Sequence, residues 1–409
     1  MTGARTSSEQ WRVVAIIFLI LNVALGVNFA GYGSLVGAIQ TEFATQRALA
    51  SAGLSMLTLA LGLLSPLVGS LMRRFPIRVL MAVGITLNAV GYLVISQVHT
   101  IEAMLICYGL LVGPGFCLFS VVPCTAIIAN WFSEGRGRAL GIVNMPVGNS
   151  IMPIAAAVAL GALGLRATFV GGAIVLIALL PLLLLLREAP YKPSLGVDDP
   201  GAPSAAEPLS ARAILASPAF LVLTLGVSII SAGGMVMVTH LVALGTGRGL
   251  DLQTASLLLA AFGIAGLVGA PAFGWIADRI GAKHAFALLC LVSIPPWLAL
   301  IVAGDSFLAL LALSILIGAC CNAVLPLFGL AMSDWLGESN LGLGMGLSYL
   351  LQIPFLFGAG PLAGAMFDRY GNYTPTILLH CASFAAMALI FLLFRRPKPV
   401  SEMVPAVAN

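Results

Sequence analysis

The chain has 409 residues, of which 60% are hydrophobic and only 8% are charged, and its formal net charge is +4. Soluble proteins carry about 25% charged residues, whereas the mean hydropathy of this chain is +1.08. A globular core cannot hide so much apolar surface at this length. The composition therefore excludes a soluble protein and predicts one that has lipid as its solvent.

Twelve apolar runs are long enough to cross about 30 Å of hydrocarbon. In chain order they cover residues 12–34, 48–71, 77–97, 101–126, 139–162, 167–187, 218–243, 254–274, 284–303, 306–331, 342–364 and 374–394. The first run is too long for the core of a signal peptide and is kept as a helix. The predicted fold is an all-α membrane protein with twelve transmembrane helices in two pseudo-symmetric six-helix bundles.

One long polar segment separates the sixth run from the seventh. It contains five prolines together with Asp198, Asp199 and Glu207, a composition typical of a solvated linker. We therefore expect an N-terminal six-helix bundle at residues 1–187 and a cytoplasmic linker at 188–217. Residues 218–409 then form a C-terminal six-helix bundle with a short cytoplasmic tail.

The basic residues indicate the orientation of the spans. If the N-terminus is cytoplasmic, fifteen of the nineteen Lys and Arg residues lie inside, which fits the positive-inside rule. The four outside are Arg47, Arg166, Arg248 and Arg369. An odd number of spans would scramble this pattern. We expect a multi-pass protein of the plasma membrane, the inner membrane in a bacterium, with both termini in the cytoplasm.

The two halves repeat one loop sequence. G-S-L-M-R-R-F-P-I-R occupies residues 69–78, and G-W-I-A-D-R-I-G-A-K occupies residues 274–283. The matching positions, 205 residues apart, are Gly69 with Gly274, Arg74 with Arg279, and Arg78 with Lys283. Duplicated halves that enclose a site near the midplane of the membrane are typical of alternating-access transporters.

The second copy resembles a signature of the major facilitator superfamily, G-x-x-x-D-R-x-G-x-[RK]. The residues that match this signature are Gly274, Asp278, Arg279, Gly281 and Lys283. The resemblance implies a gating loop that holds one end of the transporter closed. The first copy departs from the pattern, since Arg73 stands in place of the Asp and Pro76 in place of the Gly. A third, partial copy consists of Gly364, Asp368, Arg369 and Gly371.

Two further segments resemble the monocarboxylate and oxalate:formate branch of that superfamily. N-W-F-S-E-G-R-G-R-A-L-G-I at residues 130–142 is similar to the loop after its fourth helix, and G-V-N-F-A-G-Y-G-S-L at 26–35 is similar to its first helix. That branch commonly binds carboxylate with a basic residue in helix eight. Residues 254–275 contain no charged residue, so the chain departs from the branch there, and a dicarboxylate is disfavoured.

The spans hold no Asp, Glu, Lys or Arg near their centres, so the site candidates are neutral. His240 is the candidate for proton coupling, because a histidine titrates near neutral pH; the alternative is an interfacial histidine bonded to backbone. The polar and aromatic residues that we expect to contact substrate are Asn28, Tyr32, Phe116, Ser120, Asn144, Asn149, Asn322, Tyr349 and Gln352. Each of them could instead join helices together.

These observations favour a secondary transporter that moves a small monocarboxylate, aliphatic or aromatic, by alternating access. It would be coupled to protons or exchange anions. The alternative is a carrier or exporter of a neutral or amphipathic compound, which the charge-free interior favours. We expect no enzymatic activity, because the chain lacks H-E-x-x-H and G-x-S-x-G motifs. The expected partners are a small-molecule substrate, H+ and the lipid bilayer. We expect a monomer, with no cofactor, no metal and no nucleic acid.

Overall fold

The computed structural model of the chain describes residues 7–72, 74–132, 136–186, 209–336 and 340–394. Residues 187–208 and 395–409, which include most of the predicted linker and the end of the predicted tail, lie outside the described residues. Within the described ranges the chain forms helices and no strands. The all-α membrane fold predicted from hydropathy is therefore confirmed.

In the described part of the chain, eleven helices are long and apolar enough to span a membrane, and one of them contains two spans. The 47-residue helix Ala139–Leu185 would be about 70 Å long if straight, more than twice the thickness of the hydrocarbon. It is broken at Gly164, which has φ 80° and ψ 172°. These dihedral angles favour glycine and turn the chain back into the membrane. Gly164 thus separates two spans, one on either side, and this gives the predicted total of twelve.

We number these spans α1 to α12. Their bounds are α1 Ser8–Glu42, α2 Arg47–Leu71, α3 Ile77–Ile95, α4 Ile101–Ile128, α5 139–163, α6 165–185, α7 Pro218–Thr246, α8 Leu252–Ile280, α9 Ala282–Val302, α10 Phe307–Leu336, α11 Leu341–Tyr370 and α12 Thr374–Leu393. A short helix, Ala211–Leu215, precedes α7. We call α1–α6 the N half and α7–α12 the C half.

Several spans contain local breaks in the helix. The segments Gly26–Ala30 in α1 and Tyr108–Val112 in α4 are single π-helical turns. At Ser120 the backbone of α4 leaves the helical region, with φ −96° and ψ −130°. Pro123 has no N–H to donate to the carbonyl of Phe119. That carbonyl lies 3.3 Å from Sγ of Cys124 instead.

Small residues bring the helices of each half close together. Gly84 of α3 faces Gly115 of α4, and a Cβ on Gly84 would lie 2.7 Å from the carbonyl oxygen of Gly115. A Cβ on Gly269 of α8 would overlap the carbonyl of Ala319 in α10. Close approach at small residues is how helices pack in lipid, where burial of apolar side chains gives little driving force.

The two halves meet along three helix pairs, α1 with α7, α2 with α11, and α5 with α8. We call the end of the bundle where α1 begins and α12 ends the inner end, and the opposite end the outer end. At the inner end, Nη2 of Arg12 donates to the carbonyl oxygen of Leu185 over 2.9 Å, which joins the start of α1 to the end of α6. Trp335 stacks on Phe394 there, with ring centroids 5.7 Å apart.

Candidate functional site

The halves seal against each other in the outer part of the bundle. A Cβ on Gly33 of α1 would overlap the carbonyl oxygen of Val238 in α7. A Cβ on Gly364 of α11 would lie 2.6 Å from the backbone nitrogen of Ala48 in α2. Helices from opposite halves therefore touch backbone to backbone, and no side chain would fit between them at these positions.

A second contact closes the side formed by α1, α5 and α8. Ser34 and Ser256, both buried, place their Oγ atoms 3.1 Å apart, and Oγ of Ser34 lies 3.0 Å from the carbonyl oxygen of Pro153. Between this contact and the outer end lies a cavity of about 250 Å³, whose lining includes Thr41 and Thr246. The hydroxyls of both threonines are bonded to carbonyls of their own helices.

Arg47, at the start of α2, connects the N half to α11 and to the loop between α11 and α12 in the C half. The carboxylate of Asp368 accepts the backbone N–H of Arg47 over 3.2 Å and that of Ala48 over 3.1 Å. Nη1 of Arg47 donates to the Tyr373 hydroxyl over 3.0 Å. The guanidinium lies 4.0 Å from the ring centroid of Phe367, a cation–π distance. We call these five residues the outer latch.

His240 joins the outer latch from α7. Its Nε2 lies 2.9 Å from the carbonyl oxygen of Gly360, and its Nδ1 lies 3.0 Å from the Tyr373 hydroxyl. A carbonyl can only accept, so Nε2 carries a proton, and in the neutral ring Nδ1 accepts from Tyr373. Burial raises the pKa of Tyr373 to about 12, against the opposing effect of Arg47, so its hydroxyl keeps the proton that it donates.

Four glycines near the inner end have free space beside them. A Cβ would meet no atom within 4 Å at four glycines of the inner halves of α2, α8, α10 and α11, which are Gly69, Gly274, Gly329 and Gly346. Tyr349 of α11 is 42% exposed and rests edge-on against Phe328 of α10. The close contacts between the halves described above therefore lie in the outer part of the bundle.

The predicted gating-loop residues lie at the inner end. Gly281 has φ 80° and joins α8 to α9, which explains the glycine of the signature. Asp278 is exposed and makes no hydrogen bond or ion pair with any described residue, while the guanidinium of Arg279 lies 3.7 Å from the Trp275 ring centroid. In the first copy, Pro76 has φ −55°, so that loop turns differently. The remaining predicted members are Gly69, Arg74, Arg78, Gly274 and Lys283.

Two predicted substrate residues of α1 make contacts within the N half. Asn28 is fully buried, and its Nδ2 donates to the carbonyl oxygen of Ala24 over 2.9 Å. Its Oδ1 accepts from Nδ2 of Asn88 in α3 over 3.1 Å. The hydroxyl of Tyr32 donates to the carbonyl oxygen of Ala50 over 2.6 Å. These contacts join α1 to α2 and α3. Asn28 and Tyr32 therefore hold helices together, which was the alternative to contacting substrate.

The predicted residues of α4 and α5 differ in environment. Phe116 is buried and packs on Phe29 with centroids 5.4 Å apart, and Ser120 is buried with no partner for Oγ among the described residues. Asn144 is exposed, and its Nδ2 donates to its own helix at the Leu140 carbonyl. Asn149 faces α8, and its buried Oδ1 has no hydrogen-bond partner in the described part of the chain.

In the C half, Asn322 and Gln352 are bonded to neighbouring groups. Nδ2 of Asn322 lies 2.8 Å from the carbonyl oxygen of Gly318 and 3.2 Å from that of Phe262, which joins α10 to α8. Nε2 of Gln352 donates to Oγ of Ser348 over 3.1 Å. Of the nine predicted substrate residues, Asn149 combines a backbone contact with the opposite half and an unpaired polar atom, and Tyr349 is exposed.

The sequence did not identify the outer latch as a unit. It singled out Arg47 as an outer basic residue and Asp368 as part of an incomplete signature, but nothing paired them. The signal in the sequence that could have identified it was the third, partial copy of the signature, which lies at the outer end, whereas the other two copies lie at the inner end. Among the described residues, no group of three His, Cys, Asp or Glu side chains could hold a metal ion.

Two six-helix halves that face each other across an interface are typical of alternating-access transporters. The family model described as Major Facilitator Superfamily matches residues 18–252 and again residues 225–408, and the chain belongs to this superfamily. It is therefore a membrane transporter and not an enzyme.

Named relatives agree with the resemblance to the monocarboxylate branch, which is confirmed. "Monocarboxylate transporter 13" of Bos taurus is 28% identical over 369 residues, covering 89% of this chain and 83% of that protein. "Monocarboxylate transporter 12-B" of Danio rerio is 29% identical over 370 residues, covering 81% and 75%. The crystal structure of an inward-facing, occupied bacterial homologue of the human lysosomal transporter Spinster shares the fold, with TM-score 0.71, 15% identity and 95% coverage of both chains.

Proposed function

We propose that this transporter moves a small monocarboxylate, aliphatic or aromatic, between the outer and inner ends by alternating access. The observation that carries the proposal is its similarity to monocarboxylate transporters over most of the chain. We further propose that the inner end faces the cytoplasm in a plasma membrane and that the transporter acts as a monomer. The excess of Lys and Arg in the loops of the inner end supports this orientation.

The substrate would be held by neutral groups, since the spans contain no charged residue near their centres. No described residue donates a hydrogen bond to Oδ1 of Asn149, and leaving such a buried acceptor unpaired costs free energy. A carboxylic acid bound in its protonated form donates one hydrogen bond and would satisfy this oxygen. Tyr349, which is exposed and lies in the inner half of α11, is a second candidate contact.

Proton coupling would act through the outer latch. With the outer end closed, both ring nitrogens of His240 are bonded to protein, and the charged groups nearest the ring are Arg47 and Asp368. A second proton can bind to Nδ1 only after the Tyr373 hydroxyl stops donating its hydrogen bond to that nitrogen. We infer that His240 exchanges its proton when the outer end opens and Arg47 moves away.

The second candidate function is transport of a neutral or amphipathic compound, which the charge-free interior favours. The two candidates are distinguished by uptake of labelled lactate, pyruvate and benzoate into proteoliposomes, with and without an inward proton gradient. Saturable uptake that the gradient accelerates supports proton-linked transport of an organic acid. The His240→Gln variant should then lose most of the pH dependence. No uptake of any of the three acids by folded protein contradicts the proposal and favours the neutral substrate.

A further inference from the structure

The first turn of α2 is capped by the opposite half of the molecule. Gln46, the residue at the N-cap position of α2, makes no side-chain hydrogen bond to the helix. Asp368 of α11 accepts the two N–H groups of Arg47 and Ala48 instead. The free N–H groups and the positive end of the helix dipole make this the position where a carboxylate is most stabilising.

Three other helices that begin at the outer end take their caps from their own half. The carboxylate of Asp251 accepts the N–H groups of Gln253 and Thr254, both over 3.0 Å, and so caps α8. Thr100 and Ser306 cap α4 and α10 in the same way. These caps survive any rigid movement of one half relative to the other, whereas the bonds from Asp368 to α2 must break when the outer end opens.

The arginines at the outer end show the same contrast. The guanidinium of Arg166 contacts Glu42 and the carbonyl of Ser96, all in the N half. That of Arg248 contacts carbonyls at Leu300 and Gly304, all in the C half. The Arg47 side chain alone among these three spans the halves, through Tyr373 and Phe367.

We propose that Asp368 is a gate residue: its carboxylate closes the outer end by capping α2 across the two halves, and Arg47 holds the same contact through its side chain. The partial signature from Gly364 to Gly371 therefore has a role at the outer end. Gly364 lets α11 approach the backbone of α2. Gly371, with φ 70°, ends α11 three residues after Asp368, and its N–H is bonded to the Phe367 carbonyl.

The test is a distance measurement between spin labels at Glu102 and Asp305, exposed residues at the outer end of the N half and C half respectively. The labels are attached to cysteines introduced by Glu102→Cys and Asp305→Cys in the purified full chain, which is placed in nanodiscs. Cys107 is replaced by Ser because it is the partly exposed native cysteine. No substrate is added, so the result does not depend on the substrate class proposed above. Asp368→Ala should raise the ratio of long to short distances by about fivefold, the effect of losing one helix cap.

Asp251→Ala is the matched control, because it removes an equivalent outer-end cap that lies within one half. The proposal expects lower thermal stability for this variant with an unchanged distance distribution. Arg47→Ala should shift the distances in the same direction as Asp368→Ala, while Arg166→Ala and Arg248→Ala should not. If Asp368→Ala fails to fold, Asp368→Asn replaces it, since it keeps an acceptor oxygen and loses the charge. Unchanged distances in the folded Asp368 variant, or equal shifts in the Asp251 control, overturn the proposal.

Discussion

Two asparagines of α5, five residues apart, show how position decides what a side chain can do. Asn144 lies in the break before Pro146, is exposed to solvent and bonds its own helix. Asn149 lies one and a half turns further into the membrane, where its backbone carbonyl would be 3.2 Å from a Cβ on Gly263 of α8. Its buried Oδ1 has no partner in the described residues. Substrate is the group that we expect to supply the missing donor.

Replacing Asn149 by Ala should raise KM for the transported acid by about tenfold, the usual effect of losing one hydrogen bond of a little over 1 kcal/mol. The same change at Asn144 should leave KM within about twofold, because that side chain bonds only its own helix. Initial uptake rates in proteoliposomes over a range of substrate concentrations measure both values. Equal KM values for the two variants would remove Asn149 from the substrate site.

At the scale of helices, α1 carries a pair of glycines whose surroundings differ. Gly33 touches the backbone of Val238 across the interface between the halves, whereas a Cβ on Gly37, one turn further along, would meet no atom within 4 Å. Both residues lie in a regular helix, so alanine would favour the helix at either position by about 0.5–1 kcal/mol. The difference between the two variants therefore isolates the crossing of α1 and α7.

Gly33→Ala should destabilise the outer-closed state by about 1–3 kcal/mol, because the added methyl group forces α1 and α7 apart. Gly37→Ala should leave stability unchanged or slightly increased. Thermal unfolding of the purified variants, followed by tryptophan fluorescence, gives the comparison. A Gly33→Ala protein that unfolds at the same temperature as Gly37→Ala would contradict the close α1–α7 contact.

The number and depth of the helices could be predicted from sequence, because each span must be apolar over the full thickness of the hydrocarbon. The direction in which a polar side chain points could not. Asn28 and Tyr32 have the depth expected of substrate contacts, yet they point into the N half. A helix that is apolar all round gives no periodic signal to separate its lipid face, its packing face and its cleft face. The π-helical turn at Gly26–Ala30 further changes the direction of the residues around Asn28.

At the scale of the whole molecule, the two halves close at the outer end through the outer latch, and we propose that the same state is open at the inner end. The Asp278 carboxylate has no partner among the described residues. If the halves move as units, as alternating access requires, closing one end opens the other. Opening the outer end must break the contacts of Arg47 with Asp368 and Tyr373, and substrate or proton binding has to offset that cost.

The most direct test of this account is the reaction of a membrane-impermeant thiol reagent with single cysteines in oriented vesicles. Tyr349→Cys reports on the open inner part of the interface, and Ser256→Cys reports on the outer seal. The account predicts that Tyr349→Cys reacts rapidly from the inner side and slowly from the outer side, while Ser256→Cys is protected from both. Rapid reaction of Ser256→Cys from the outer side, with Tyr349→Cys protected from the inner side, would contradict it.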